Sequence, residues 1–99
     1  MYVVIVEFTV RQGFADAFRE RVRQQAQDSL QREADCHVFD VCIDPQRAGF
    51  VLLYEVYSDA AAFDAHLASS HFRDFDAAVG AWVEDKQVTR FERLETGPA

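Results

Sequence analysis

The stretch FVLLYEVYSDAAAFDAHLASSHF, Phe50 to Phe72, decides how this chain is read. It opens as an aliphatic and aromatic run broken only by Glu55, which is a strand composition. Ser58-Asp59 supplies a turn and a cap, because either side chain can accept a hydrogen bond from a free N–H of a following helix. Ala60 to Leu67 is that helix, with Phe63 and Leu67 one turn apart and His66 near its end. Ser69 or Ser70 caps a further helix, His71 to about Glu84, where Phe72, Phe75, Val79 and Trp82 or Val83 recur at helical spacing. Two histidines thus lie close to a glutamate set in an apolar strand. A pocket with a general base is expected here.

Working outward, Cys36 to Asp44 (CHVFDVCID) alternates, with Phe39, Val41 and Ile43 on one side and Val38, Asp40 and Cys42 on the other. It reads as a strand ended by Asp44-Pro45 and paired with Phe50 to Tyr57 through a short hairpin loop. Tyr2 to Val10 (YVVIVEFTV) is another strand, in which Glu7 must meet solvent, a pocket or a partner. After the Gln12-Gly13 turn, Phe14, Phe18, Val22, Ala26 and Leu30 fall four apart, which predicts an amphipathic helix that frays over Gln31 to Asp35. Lys86 to Glu95 is a last strand. Its Val88, Phe91 and Leu94 are three apart, so it needs a bulge or a twist. Thr96 to Ala99 is a tail.

The order β-α-β-β-α-β predicts an α+β chain of the ferredoxin-like split βαβ type. It has an antiparallel four-stranded sheet with helices on one face. Residues 1–99 are read as one domain. The first and third strands are apolar on both sides, so the second sheet face needs a cover. A second copy of the chain is the simplest cover, and a homodimer is expected.

A net charge of −7 argues against nucleic acid and anionic membrane surfaces as partners. No apolar run reaches the roughly 18–20 residues of a bilayer span, and Met1 leads straight into a strand with no targeting signal. A cytoplasmic protein is expected. Cys36 and Cys42 sit on one strand with Cα atoms ~20 Å apart, beyond disulfide reach, so both are expected to be free, buried thiols.

Three candidates carry the chemistry. Glu55 shares a strand face with Tyr57; it is either a structural carboxylate bonded to a tyrosine, an arginine or the partner subunit, or a group that tunes a histidine. His66 is either a satisfied core histidine or a pocket base, with a pKa range suited to taking a phenolic or α-carbonyl proton. His71 stands at a helix start, where the dipole disfavours its charged form; it either caps the helix or serves the pocket as a neutral imidazole. His37 carries no special signal. Tyr57, Phe63, Phe72, Phe75 and Trp82 are the candidate substrate-binding rings and serve equally well as ordinary core. Lys86 and Arg90 can hold an anionic group or simply be solvated. The histidines lack HxxxH spacing, so no metal site is expected. No cofactor fingerprint is present either.

The segments FDVxxDP at Phe39 to Pro45, FVLLYEVYSD at Phe50 to Asp59 and AHLASSHF at Ala65 to Phe72 resemble the antibiotic biosynthesis monooxygenase domain family. The resemblance spans Val3 to Leu94 and implies a dimeric α+β barrel. It implies a cofactor-independent monooxygenase that uses molecular oxygen on a phenolic or quinol ring, with His66 as base. One branch of that family, isomerases of a phosphorylated quorum-sensing autoinducer, shares the same strand ends. The alternative is therefore an isomerase of a small phosphorylated hydroxy-carbonyl compound, working through an enediolate. A non-catalytic dimer that binds aromatic ligands is a third reading. The haem-degrading branch resembles the chain in fold, but its asparagine, tryptophan and haem-ligating histidine find no match here.

Overall fold

A computed structural model of the chain describes residues 1–98. Among them, four strands and three helices follow in the order β1 (Tyr2–Val10), α1 (Ala15–Arg32), β2 (Cys36–Ile43), β3 (Phe50–Tyr57), α2 (Ala60–Ala68), α3 (Ser70–Val79), a 3-10 turn (Gly80–Trp82) and β4 (Val83–Glu92). The sheet order is β2-β3-β1-β4, antiparallel throughout, so the ferredoxin-like α+β architecture stands. The end of the expected tail, Ala99, lies outside the described residues.

The register sets which side chains share a face. Phe39, Glu55, Val4 and Arg90 form one cross-strand row, Val41, Leu53, Val6 and Val88 the next, and Ile43, Val51, Phe8 and Lys86 the third. These rows face the helices, and the residues contributed by β1 and β3 are buried. The opposite face carries Val38, Val56, Val3 and Phe91 in one row and Asp40, Tyr54, Ile5 and Thr89 in the next. Glu7 stands on that face too, between Leu52 and Gln87.

The core is aromatic. Phe18 of α1 is fully buried, with its ring 5.0 Å from Phe8 and 6.2 Å from Phe75. Truncating such a ring to alanine costs roughly 3–5 kcal/mol. Gly49 closes the β2–β3 loop with φ +85°, and a Cβ there would lie 2.7 Å from the Val10 carbonyl oxygen, so only glycine fits beside β1.

Four expectations are corrected. The α1 stripe does not run from Phe14 to Leu30, because both of those are exposed and the buried residues are Phe18, Val22, Gln25, Ala26 and Ser29. Residues four apart drift about 40° per step around a helix of 3.6 residues per turn, so the ends of such a row leave the core. The second helix of the pair stops at Val79, and Val83 already belongs to β4. The β4 irregularity falls opposite Thr9 and Val10, while Val88 and Phe91 simply point to opposite faces. Cys42 is exposed on the uncovered face; both thiols are free, but only Cys36 is buried.

Candidate active site

The site is built around the break between α2 and α3. Asp59 caps α2, its carboxylate accepting from the Ala62 N–H at 2.8 Å. Ser69 then ends one helix and starts the next. Its hydroxyl donates to the His66 carbonyl at 2.6 Å and accepts from the Phe72 N–H at 3.2 Å. One extended residue between two helices turns the chain so that His66, in the last turn of α2, and His71, in the first turn of α3, converge.

They converge on Glu33. This residue caps the C-terminus of α1 in an extended conformation, its N–H bonded to the Ser29 carbonyl. One carboxylate oxygen, Oε2, accepts from His66 Nδ1 at 2.8 Å and from His71 Nε2 at 2.5 Å. Burial alone would raise this carboxyl, but the hydrogen bonds and charges of the two imidazoles prevail and hold it below its ordinary value. A carboxylate can only accept, so both imidazoles present N–H to it. In its neutral form His66 is then the Nδ1–H tautomer, with the lone pair on Nε2, an atom that makes no hydrogen bond among the described residues. Both rings are buried. The His66 ring is stacked on Phe63 and flanked by Tyr57, Phe39 and Phe72 at centroid distances of 5.2–6.0 Å.

Between these helices and the sheet lies a cavity of ≈ 30 Å³, walled by Phe8, Phe39, Phe63, Phe72 and Phe75 with aliphatic neighbours. Its polar lining is Gln25, Glu55, His66 and Lys86. As it stands it has room for water but not for an aromatic ring; a dry apolar cavity that takes benzene measures roughly 150 Å³. Lys86 sits at the rim, 5.6 Å from the ring centres of both Phe8 and Phe72.

Glu55 points to the helical face and lines this cavity, not the uncovered face. It does not pair with His66: Tyr57 Oη donates to its Oε1 at 2.6 Å, and the histidine's carboxylate is Glu33. Burial pushes the Glu55 carboxyl up to about 7 against the opposing pull of the Tyr57 hydrogen bond and the His66 charge. The same burial raises the Tyr57 hydroxyl, and it takes the Cys36 thiol up to about 12, so that thiol is no nucleophile.

Of the residues singled out from the sequence, His66, Glu55, Phe63, Phe72 and Phe75 meet at the cavity. Tyr57 stands behind Glu55 and His71 behind Glu33. Trp82 does not reach the cavity: past the end of α3 it stacks on Phe14, 6.1 Å away and 14° from parallel. Arg90 lies over the Phe63 ring at 4.8 Å. Glu33 and Gln25 were not anticipated. The one signal for Glu33 is a carboxylate placed at a helix end, and a polar residue within a helix gives none for Gln25. His37 also has a partner, with Nε2 2.7 Å from Ser58 Oγ, but Ser58 gives its proton to Asp35 in an exposed clasp between β2 and β3.

Spacing argued against a metal site, yet the ligand-type atoms of Glu33, His66 and His71 lie within 4.8 Å of one another. A tetrahedral zinc with bonds of ~2.0–2.1 Å holds its ligand atoms roughly 3.3 Å apart. The two contacts to Glu33 are shorter than that and match N–H···O hydrogen bonds.

The geometry defines a class: a ferredoxin-like α+β protein with an imidazole, oriented by a carboxylate, facing an aromatic cavity. The chain belongs to the antibiotic biosynthesis monooxygenase family, whose model matches residues 1–78. It is similar in structure to a Nitrosomonas europaea protein that carries the family's name, with 26% identity, a TM-score of 0.90 and coverage of 96% of this chain and 100% of that one. PA3566 from Pseudomonas aeruginosa gives 24% identity and a TM-score of 0.87 over 95% and 94% of the two chains. A Caulobacter crescentus protein gives 19% and 0.90 over 95% and 90%. The last two likenesses show the fold alone. No functionally curated protein matches the chain. Among the described residues, no helix is long and apolar enough to cross a membrane.

Proposed function

We propose that this protein is a cofactor-independent monooxygenase of a phenolic or quinol ring. The observation that carries the reading is the His66 imidazole, with Nδ1 held on Glu33 and Nε2 free of any hydrogen bond among the described residues, in a residue that lines a ring-walled cavity. His66 takes the phenolic proton. The resulting anion reduces oxygen directly; one oxygen atom enters the ring, which gives up all four electrons and ends at the quinone level, and the other leaves as water. Lys86 at the rim favours the anion electrostatically, and the surrounding phenylalanines exclude water. The ring enters by displacing Phe72, which is only half-buried, and the Lys86 side chain.

Oxygen uptake with a panel of phenols and quinols tests this. Wild-type protein should consume oxygen, and His66→Ala should lose roughly 10²–10⁴-fold in kcat, the usual worth of a general base. No uptake with any member of the panel sinks the reading. A second reading, isomerisation of a phosphorylated hydroxy-carbonyl compound, is favoured by one observation: Glu55, near 7, can give or take a proton in the cavity that His66 lines. Turnover of such a compound without oxygen separates the two.

The active unit is a homodimer in this proposal. The uncovered sheet face carries Ile5, Val38, Leu52, Tyr54 and Phe91, part-exposed or exposed apolar side chains that a second copy would bury. Sedimentation at micromolar concentration should return about twice the 11.3 kDa chain mass.

A further inference from the structure

Gln25 is 1% exposed, on the inward side of α1, and lines the same cavity as His66 and Glu55. Its neighbour Ser29 spends its hydroxyl proton on the backbone carbonyl of Gln25 at 2.8 Å, so Ser29 Oγ can only accept from the side-chain amide. The contact is Gln25 Nε2 to Ser29 Oγ at 3.5 Å, which fixes the orientation of the amide and leaves its oxygen turned away. That oxygen, Oε1, is buried and accepts no hydrogen bond among the described residues. A buried acceptor without a donor is destabilising, and native proteins keep few of them.

We propose that Gln25 Oε1 is a specificity-determining acceptor for a second donor group on the substrate, an O–H or N–H distinct from the hydroxyl that gives its proton to His66. This assignment rests on the reading of His66 as the base of a phenolic site. Of the cavity's four polar lining residues, Lys86 can only donate and Glu55 is already bonded to Tyr57, which leaves His66 Nε2 and Gln25 Oε1 as the two acceptors without a donor. A ring with two donors satisfies both. A ring with one leaves the amide oxygen desolvated and unpaired, and the site rejects it for that reason.

The test is equilibrium binding of a matched pair, hydroquinone and 4-methoxyphenol, to wild-type protein and to Gln25→Leu and Gln25→Met, by calorimetry without oxygen. Wild type should prefer hydroquinone by tenfold or more. Both variants should bind the two compounds within about twofold of each other. With no ligand, the variants should melt at or above the wild-type temperature, because an unpaired polar group has gone. His66→Ala should lose oxygen uptake and bring the two compounds to near-equal binding, because a single hydroxyl is then free to pair with Gln25 Oε1. Equal binding of the pair by wild type, a preference that survives in the variants, or binding of neither compound overturns the assignment. Preference for hydroquinone without oxygen uptake upholds Gln25 and refutes only the oxygenase reading.

Discussion

Replacing Glu55 by glutamine changes one property of the cavity and little else. Glutamine keeps the shape, and its carbonyl still accepts the Tyr57 hydroxyl proton, but it never ionises. In the folded protein burial pushes the Glu55 carboxyl up to about 7, against 4.5 for an ordinary glutamate. Between those values the native state holds a proton that the unfolded chain has released. The resulting stabilisation is complete below about 4.5 and is lost as pH rises through about 7. Above that, the native state carries a buried, ionised carboxylate at a relative cost of about 3 kcal/mol. Glu55→Gln should therefore match wild type near pH 5 and exceed it by up to about 3 kcal/mol at pH 8. Urea unfolding at pH 5, 6, 7 and 8 and fixed protein concentration, followed by the fluorescence of the single tryptophan, measures this directly. A difference between the two proteins that does not change across that range refutes the reasoning, as does a variant less stable than wild type at pH 8.

Glu33→Gln should lower kcat roughly ten- to a hundredfold with KM little changed, less than the ~10²–10⁴ of losing the base itself. It should also blunt acid unfolding, since a carboxyl held low contributes stability present above about 4.5 and lost as pH falls below it. Ser69→Ala removes the cap shared by the two helices and should cost about 1 kcal/mol, read as a melting temperature lower by ~4–8 °C. A thiol reagent in denaturant without reductant should find two thiols per chain, and in the native protein Cys36 should stay silent. Zinc added at micromolar concentration should leave the melting temperature unchanged, because Glu33, His66 and His71 are already joined by hydrogen bonds; a rise of several degrees would mean that the cluster opens to bind the ion.

How much of this was legible depended on how local each cause is. β1 and β3 fall on the expected residues, since β-branched and aromatic runs bounded by turn residues carry their own boundaries. The α2–α3 break was readable because Ser69 acts on atoms within three residues of itself. Glu33 was not, because it lay in a segment that reads as a fraying helix end and meets His66 33 residues later. Gln25 was hidden by the rule that a polar residue on an amphipathic helix faces solvent, a rule that tertiary packing overrides here. Trp82 was misplaced because the helical spacing was followed through Gly80, where the helix gives way to a 3-10 turn and the ring stacks on Phe14 instead.

The two carboxylates of the site show what that packing does. Both are glutamates with largely buried side chains, yet their environments push them in opposite directions. Glu33 meets two imidazole N–H groups and is held as an anion that organises them. Glu55 accepts from one neutral hydroxyl, and burial among the cavity's phenylalanines pushes its carboxyl up to about 7. Titratable groups driven apart in this way divide the labour of acid–base chemistry: one fixes a tautomer, the other can carry a proton at physiological pH. His66 is the link, since it is bonded to the first and lines the same cavity as the second. Had Glu55 taken the Glu33 contact, it would be a fixed anion too, and His66 would be left without a second proton-exchanging group lining the same cavity.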